Sequence, residues 1–106
     1  MQTPSLDPKS EIYISVQSFL KTLKEFKIQF NHDPNYKIFW IPIDLISVDL
    51  GKFPKIRGEQ GDIEISITRY SNAIAIWISD SYNKKLIYLP PDKIVEYHNG
   101  DIVIEF

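Results

Sequence analysis

Two isoleucine triplets set the hydrophobic pattern of this chain. Ile63, Ile65 and Ile67, then Ile74, Ile76 and Ile78, each alternate with other residues at period two. That spacing predicts two strands, each with one buried face. Folding residues 62–79 about Ser71-Asn72 pairs Tyr70 with Ala73, Ile67 with Ile76 and Ile65 with Ile78. Both triplets then share a face. A slip of one residue would turn one triplet outward, so the register is strongly specified.

Near the start of the chain the period is different. Ile12, Val16, Phe19, Leu20, Leu23 and Phe26 recur at helical spacing, with Gln17, Ser18, Lys21, Lys24 and Glu25 filling the other side. The pattern predicts an amphipathic helix over residues 8–27, after a short tail at 1–7. Asp7 would cap it, and Pro8 would occupy its first turn, where a missing N–H costs nothing. Ile12, Ile14 and Val16 also alternate, which is the competing strand reading of residues 11–16.

Asn31-His32-Asp33-Pro34-Asn35 is a turn cluster. Residues 36–41 are almost continuously apolar and predict a strand buried on most of both faces, ended by Pro42. Ile46, Val48 and Leu50 alternate, so residues 43–50 are expected to be a strand, although Leu45, Ile46 and Leu50 before Gly51 would also suit a short helix. Residues 51–61 read as a loop holding a short edge strand, with Pro54 confining that strand to an edge. A four-residue turn at Gly58-Glu59-Gln60-Gly61 would set Arg57 opposite Asp62, Ile56 opposite Ile63 and Lys55 opposite Glu64. After the central hairpin come a loop at 80–83, a strand at 85–89 and a turn at Pro90-Pro91-Asp92.

The chain then closes on a second hairpin. Asn99-Gly100 is the preferred pair for a type I′ turn. It places Val95, Tyr97, Ile102, Ile104 and Phe106 on one face, and Glu96, His98, Asp101 and Glu105 on the other with Ile94 and Val103. Gly-Asp-Ile-x-Ile occurs at both 61–65 and 100–104, as two strand starts behind glycine turns rather than as a repeat architecture. The expected fold is α+β, an N-terminal amphipathic helix packed on an antiparallel β-meander of five or six strands. Residues 1–106 read as a single domain, mainly β over 36–106.

Composition narrows the chemistry more than it identifies it. There are 18 Ile but 2 Ala, which favours strands and argues against a helical bundle. The Ile, Lys, Asn and Tyr content also fits AT-rich coding. There is no Cys, so thiol catalysis, disulfides and cysteine-based zinc sites are excluded. No apolar run reaches the ~20 residues that span a bilayer. The N-terminus lacks the pattern of a signal peptide, and no membrane association is expected. A net charge of −2 with mixed signs gives no general reason to bind nucleic acid. A cytoplasmic location is expected.

Four groups of residues carry candidate chemistry. Lys52, Lys55 and Arg57, with Phe53 among them, could contact phosphate or nucleic acid. The expected pairing instead neutralises them, Lys55 by Glu64 and Arg57 by Asp62. Ile56-Arg57-Gly58 resembles the second signature of Sm-type RNA-binding rings, but the upstream half of that signature is missing and no family is assigned. Glu96, His98, Asp101 and Glu105 could bind a divalent cation or set up a general base, but their spacing matches no metal motif and a solvated face is the preferred reading. His32-Asp33 reads most simply as a turn whose Asp bonds its own backbone. No serine elbow, phosphate-binding glycine loop or HExxH motif occurs.

The last group is the second face of the central hairpin. Thr68 falls opposite Ala75 and Ser66 opposite Trp77, with Tyr70 beyond. An indole among small and hydroxylated residues suits a binding surface, since Trp and Tyr dominate hot spots. The alternative is that residues 36–50, with Phe39 and Trp40, cover it. The sequence therefore favours a small interaction module that binds a partner protein or itself through a sheet face or edge, using Tyr70, Trp77, Ser66 and Thr68. An inhibitor, immunity or accessory protein of a virus or mobile element fits this size and charge. The first alternative is a nucleic-acid-binding accessory protein using the loop at 52–57. The second is a small carboxylate- or His-dependent enzyme. No cofactor, metal or catalytic residue is expected.

Overall fold

Ser15 is where the helix begins. The computed structural model describes residues 13–106, and α1 (Val16–Glu25) starts as Ser15 leaves extended backbone at φ −79° and ψ 163°. The Ser15 hydroxyl accepts the Ser18 N–H at 3.1 Å, satisfying one of the amides that the first turn leaves open. The far end closes on a Schellman motif. Ile28 N–H donates to the Leu23 carbonyl at 2.9 Å and Lys27 N–H to that of Lys24 at 3.1 Å, with Lys27 left-handed at φ 57°. Leu23 and Ile28, both buried, supply the apolar contact of that motif.

The helix is thus shorter than the 8–27 that periodicity suggests. Asp7, Pro8 and Ile12 lie outside the described residues. Tyr13 and Ile14 are not helical, because they run along a strand instead. Ile14 N–H donates to the Tyr88 carbonyl at 2.8 Å, and Tyr13 forms an isolated parallel bridge to Tyr88.

Nine strands follow among the described residues. In chain order they are β1 (Asn31–His32), β2 (Ile38–Pro42), β3 (Asp44–Asp49), β4 (Lys55–Gln60), β5 (Ile63–Arg69), β6 (Ile74–Ser79), β7 (Lys84–Leu89), β8 (Ile94–His98) and β9 (Asp101–Glu105). They form two antiparallel sheets, β1-β2-β9-β8 and the meander β3-β4-β5-β6-β7. The fold is α+β with a β-meander, as the sequence predicts, though with more strands than five or six. The chain crosses from one sheet to the other at Ile43, whose N–H donates to the Gly100 carbonyl at 2.9 Å.

The isoleucine hairpin is the centre of the five-stranded sheet. Ile65 pairs with Ile78, Ile67 with Ile76, Ser66 with Trp77 and Thr68 with Ala75. Tyr70 N–H donates to the Ala73 carbonyl at 2.8 Å across the turn. Five of the six isoleucines are buried, and Ile63 at the sheet end is half-buried. The Asn99-Gly100 turn has φ of 49° and 89°, the two positive values a type I′ turn requires, and sets His98 opposite Asp101.

Two expectations for residues 51–61 are overturned. Gly58 is not in a turn. The β4–β5 register pairs Gln60 with Ile63, Gly58 with Ile65 and Arg57 with Ser66, so the turn is the pair Gly61-Asp62, with Gly61 at φ 60°. Nor is β4 an edge strand, since β3 covers its other side from Asp44 to Asp49. Pro54 sits just before the strand, where its missing N–H breaks no ladder bond, and its carbonyl accepts Arg69 N–H at 2.9 Å. Residues 43–50 do form a strand, with a bulge at the Leu45–Ser47 register shift. The strand expected at 36–41 runs Ile38–Pro42 and alternates, with Phe39 and Ile41 buried and the others half-buried.

Phe19 of α1 docks the helix on the four-stranded sheet. Its ring lies edge-on to Phe39 at 5.2 Å and tilted against Phe106 at 5.4 Å. Phe39 and Phe106 meet at 5.7 Å. The inner faces of both sheets join this cluster in one core. Its residues therefore face away from the surface where the candidate chemistry lies.

Candidate functional site

The outer face of the five-stranded sheet collects most of the candidate residues. Antiparallel pairing puts directly opposed residues on one face, so a row can be followed across the sheet. Ser47 pairs with Arg57, Arg57 with Ser66, Ser66 with Trp77 and Trp77 with Leu86. The next row runs Asp49, Lys55, Thr68, Ala75 and Tyr88. At about 4.8 Å per strand, Arg57 and Trp77 stand about 10 Å apart.

Trp77 is 47% exposed, and residues 36–50 do not cover it. Phe39 instead packs into the core, and Trp40 pairs with Val103 and Asn31 in the other sheet. Ser66, Thr68 and Tyr70 are half-buried. Tyr70 is displaced from the other three, at the end of β5 where the hairpin turns.

The basic residues are divided between two places. Arg57 Nη2 donates to Glu64 Oε1 at 2.7 Å, so its charge partner is Glu64 and not the expected Asp62. Lys55 lies between Asp49 and Thr68 rather than opposite Glu64. Both are on the same face as Trp77, as the expected pairing also had them; what differs is the residue each one lies opposite. Lys52 is in the 51–54 loop, its ammonium 5.9 Å from the Phe53 ring centroid. Carboxylates crowd the same face, with Asp44 opposite Glu59 and Glu59 opposite Glu64.

The polar face of the last hairpin forms as expected, with His98 opposite Asp101 and Glu96 opposite Val103. Among the described residues no three His, Asp or Glu side chains converge as a metal-binding group. His32 stacks on Tyr36 at 4.0 Å, and its Nδ1 lies 2.6 Å from the Asp33 carbonyl. The Asp33 carboxylate accepts N–H groups of Lys37 at 2.6 Å, Ile38 at 2.7 Å and Asn35 at 3.2 Å. Those bonds, that from Ile38 foremost, hold the Asp33 carboxyl below the usual carboxylate range. Asp33 therefore organises the turn that follows β1, while Asn31 and His32, expected in the turn, are paired with Trp40 and Phe39 as a strand.

One surface was not visible in the sequence. β3 is exposed along its whole length, including Leu45, Ile46 and Val48, and Leu50 just beyond it is 84% exposed. Beside β3 a cleft of about 340 Å³ opens between the sheets, with Ile56, Ile67, Ile74, Val95 and Tyr97 in its lining. The alternation of Ile46, Val48 and Leu50 was legible, but not that their strand ends the sheet. Among the described residues no helix is long and apolar enough to cross a membrane. No protein-family model, no curated protein and no solved structure matches the chain.

Proposed function

We propose that this chain is a small protein-interaction module whose contact surface is the outer face of the five-stranded sheet. The observation that carries this reading is the half-exposed indole of Trp77, set between Ser66 and Leu86 and in one row with Arg57. Trp and Arg are the residue types most enriched at binding hot spots. A rigid sheet presents them at low entropic cost, since their backbones are already ordered. Ser66 and Thr68 supply hydroxyls beside the anchor. An inhibitor, immunity or accessory role in a cytoplasmic setting, encoded by a virus or mobile element, accords with this size and charge.

Co-purification from the native host tests the reading, together with light scattering for self-association. The wild type retains a partner or assembles. Trp77→Ala keeps its melting temperature and loses the contact. A Trp77→Ala variant that retains every contact overturns the proposal.

A second reading has one observation in its favour: Lys55 and Arg57 share the face of Trp77, and single-stranded nucleic acid is bound by cations beside stacking aromatics. Asp44, Asp49, Glu59 and Glu64 on that face oppose it. Salt-dependent binding of DNA or RNA that is abolished by charge reversal at Lys52, Lys55 and Arg57 would favour this reading instead.

A further inference from the structure

The two edges of the five-stranded sheet are treated differently. At β7 the edge is engaged, since Tyr88 accepts the Ile14 N–H at 2.8 Å. At β3 no described residue pairs with the outer edge. Open edges are usually blunted by charge, shortness or bulges. β3 has its bulge near Leu45, yet from Ser47 to Asp49 it pairs regularly with β4 and carries Val48 on the inner side. This is an edge able to accept another strand.

The cleft lies directly beside that edge. Val48, Leu50 and Val48's partner Ile56 line the cleft from the five-stranded sheet, and Val95 and Tyr97 of β8 from the other. Strand addition draws affinity from main-chain hydrogen bonds and specificity from pockets that take alternate side chains. An edge next to an apolar cleft offers both.

Charge selects the occupant. The charges of β3 itself are Asp44 and Asp49; behind them Glu59 and Glu96 are set against Lys55, Arg57 and Arg69, with Arg57 already paired to Glu64. Arg69 already donates to the Pro91 carbonyl at 3.2 Å and the Lys93 carbonyl at 3.5 Å. A second copy is disfavoured in the register that pairs β3 along its full length: centred on Ile46-Ser47 it sets Asp44 opposite Asp49, and directly opposed like charges are destabilising. We infer that the β3 edge and its cleft receive an extended segment of a partner protein in which apolar residues alternate with Lys or Arg. The apolar side chains enter the cleft, and the basic ones meet Asp44 and Asp49. The edge is three strands away from Trp77, so substitution of that anchor distinguishes it from the proposed function.

Three blocked synthetic peptides test it by amide chemical-shift titration of the full chain. The first repeats Lys-Val-Thr-Val-Lys, the second replaces Lys by Glu, and the third has Pro at its centre. The basic peptide is expected to shift amides of residues 44–50 and 95–97. The Glu and Pro peptides should bind at least tenfold more weakly. Charge reversal at Asp44 and Asp49, both exposed, should invert the preference between the Lys and Glu peptides with melting unchanged, while Trp77→Ala leaves it intact. Equal binding of all three peptides, no binding at millimolar concentration, or shifts centred on Trp77 would overturn the inference. So would a dimer in the absence of peptide that Val48→Lys dissociates, because the occupant would then be a second copy.

Discussion

The side chain of Ile43 occupies the space in which Gly58 would otherwise carry a Cβ. A Cβ built on Gly58 overlaps the Cδ1 of Ile43 and lies 3.1 Å from its Cβ and Cγ1. Gly58 is in mid-strand, and Ile43 is the residue on which the chain crosses between sheets. The missing side chain therefore lets the crossover lie flat on β4. Gly58→Ala should destabilise by about 1–3 kcal/mol, the usual range for overpacking. Ile43→Ala alone should cost about 2–5 kcal/mol through its cavity. In urea titrations the double variant should lose less than the sum, by at least about 0.5 kcal/mol. Strict additivity would mean that the overlap is relieved elsewhere.

Lys27 offers the opposite opportunity. It holds the left-handed position of the helix C-terminus at φ 57°, where glycine is the usual residue. Lys27→Gly removes the Cβ clash of that conformation and should stabilise by about 0.5–1 kcal/mol. Thermal melts would read this as a rise of several degrees. A fall would mean that the lysine side chain contributes contacts that outweigh its backbone strain.

Gln60 ties three segments together. Its Nε2 donates to the Gln29 carbonyl at 2.9 Å and the Pro42 carbonyl at 2.8 Å, while its Oε1 accepts the Gln29 N–H at 2.6 Å. Gln60→Ala should cost about 1–3 kcal/mol. Gln60→Glu should be worse at neutral pH, because a carboxylate would face two carbonyl oxygens and its folded-state pKa would rise. Its deficit relative to wild type is then smallest below about pH 4, the ordinary Glu range, and grows as pH increases. Urea midpoints at several pH values would show the trend.

How much of this was legible in the sequence depends on how local each signal is. The isoleucine hairpin and the Asn99-Gly100 turn came through register for register, because period-two burial and turn chemistry both act between near neighbours. The helix was overextended through Tyr13 and Ile14, although the alternation of Ile12, Ile14 and Val16 had offered the competing strand reading there. Whether Ile14 is helical or extended depends on Tyr88, which is far along the chain. Gly58 was misread for the same reason. Turn and close approach are both ordinary roles for a strand-flanking glycine, and only Ile43 decides between them. Trp77 was recognised as a candidate anchor, but its exposure turned on where Phe39 and Trp40 pack. The β3 cleft needs β8 beside it, and no local pattern reports that.

Asp33 makes one turn pH-sensitive. Its carboxylate accepts the amides of Ile38, Lys37 and Asn35, which lowers its pKa in the folded state. A depressed carboxyl pKa stabilises the fold above the unfolded value and ceases to do so as pH falls through the folded one. Asp33→Asn should therefore be less stable than wild type at neutral pH. The gap should close as pH drops below about 4, where the unfolded-state carboxyl begins to bind protons. A gap of constant size down to pH 2 would show that the ionised carboxylate is not what holds the turn.

Ile76 and Trp77 are adjacent in β6 and face opposite ways. Ile76 is 1% exposed in the shared core, and Trp77 is 47% exposed on the outer face. The same substitution at the two positions separates the roles of the faces. Aspartate at 76 places a carboxylate where the neighbouring inner-face positions are isoleucines, paired as Ile67 and Ile87. Desolvation of an unpaired charge there costs several kcal/mol, comparable with the whole stability of a small domain. Ile76→Asp should therefore be unfolded by circular dichroism and amide dispersion at neutral pH. Trp77→Asp leaves its carboxylate in water between Ser66 and Leu86 and should change stability by about 1 kcal/mol or less. A cooperative melt for Ile76→Asp matching wild type would mean that the hairpin is not the core. An unfolded Trp77→Asp would mean that the outer face is structural, and would remove the main support for a contact surface there.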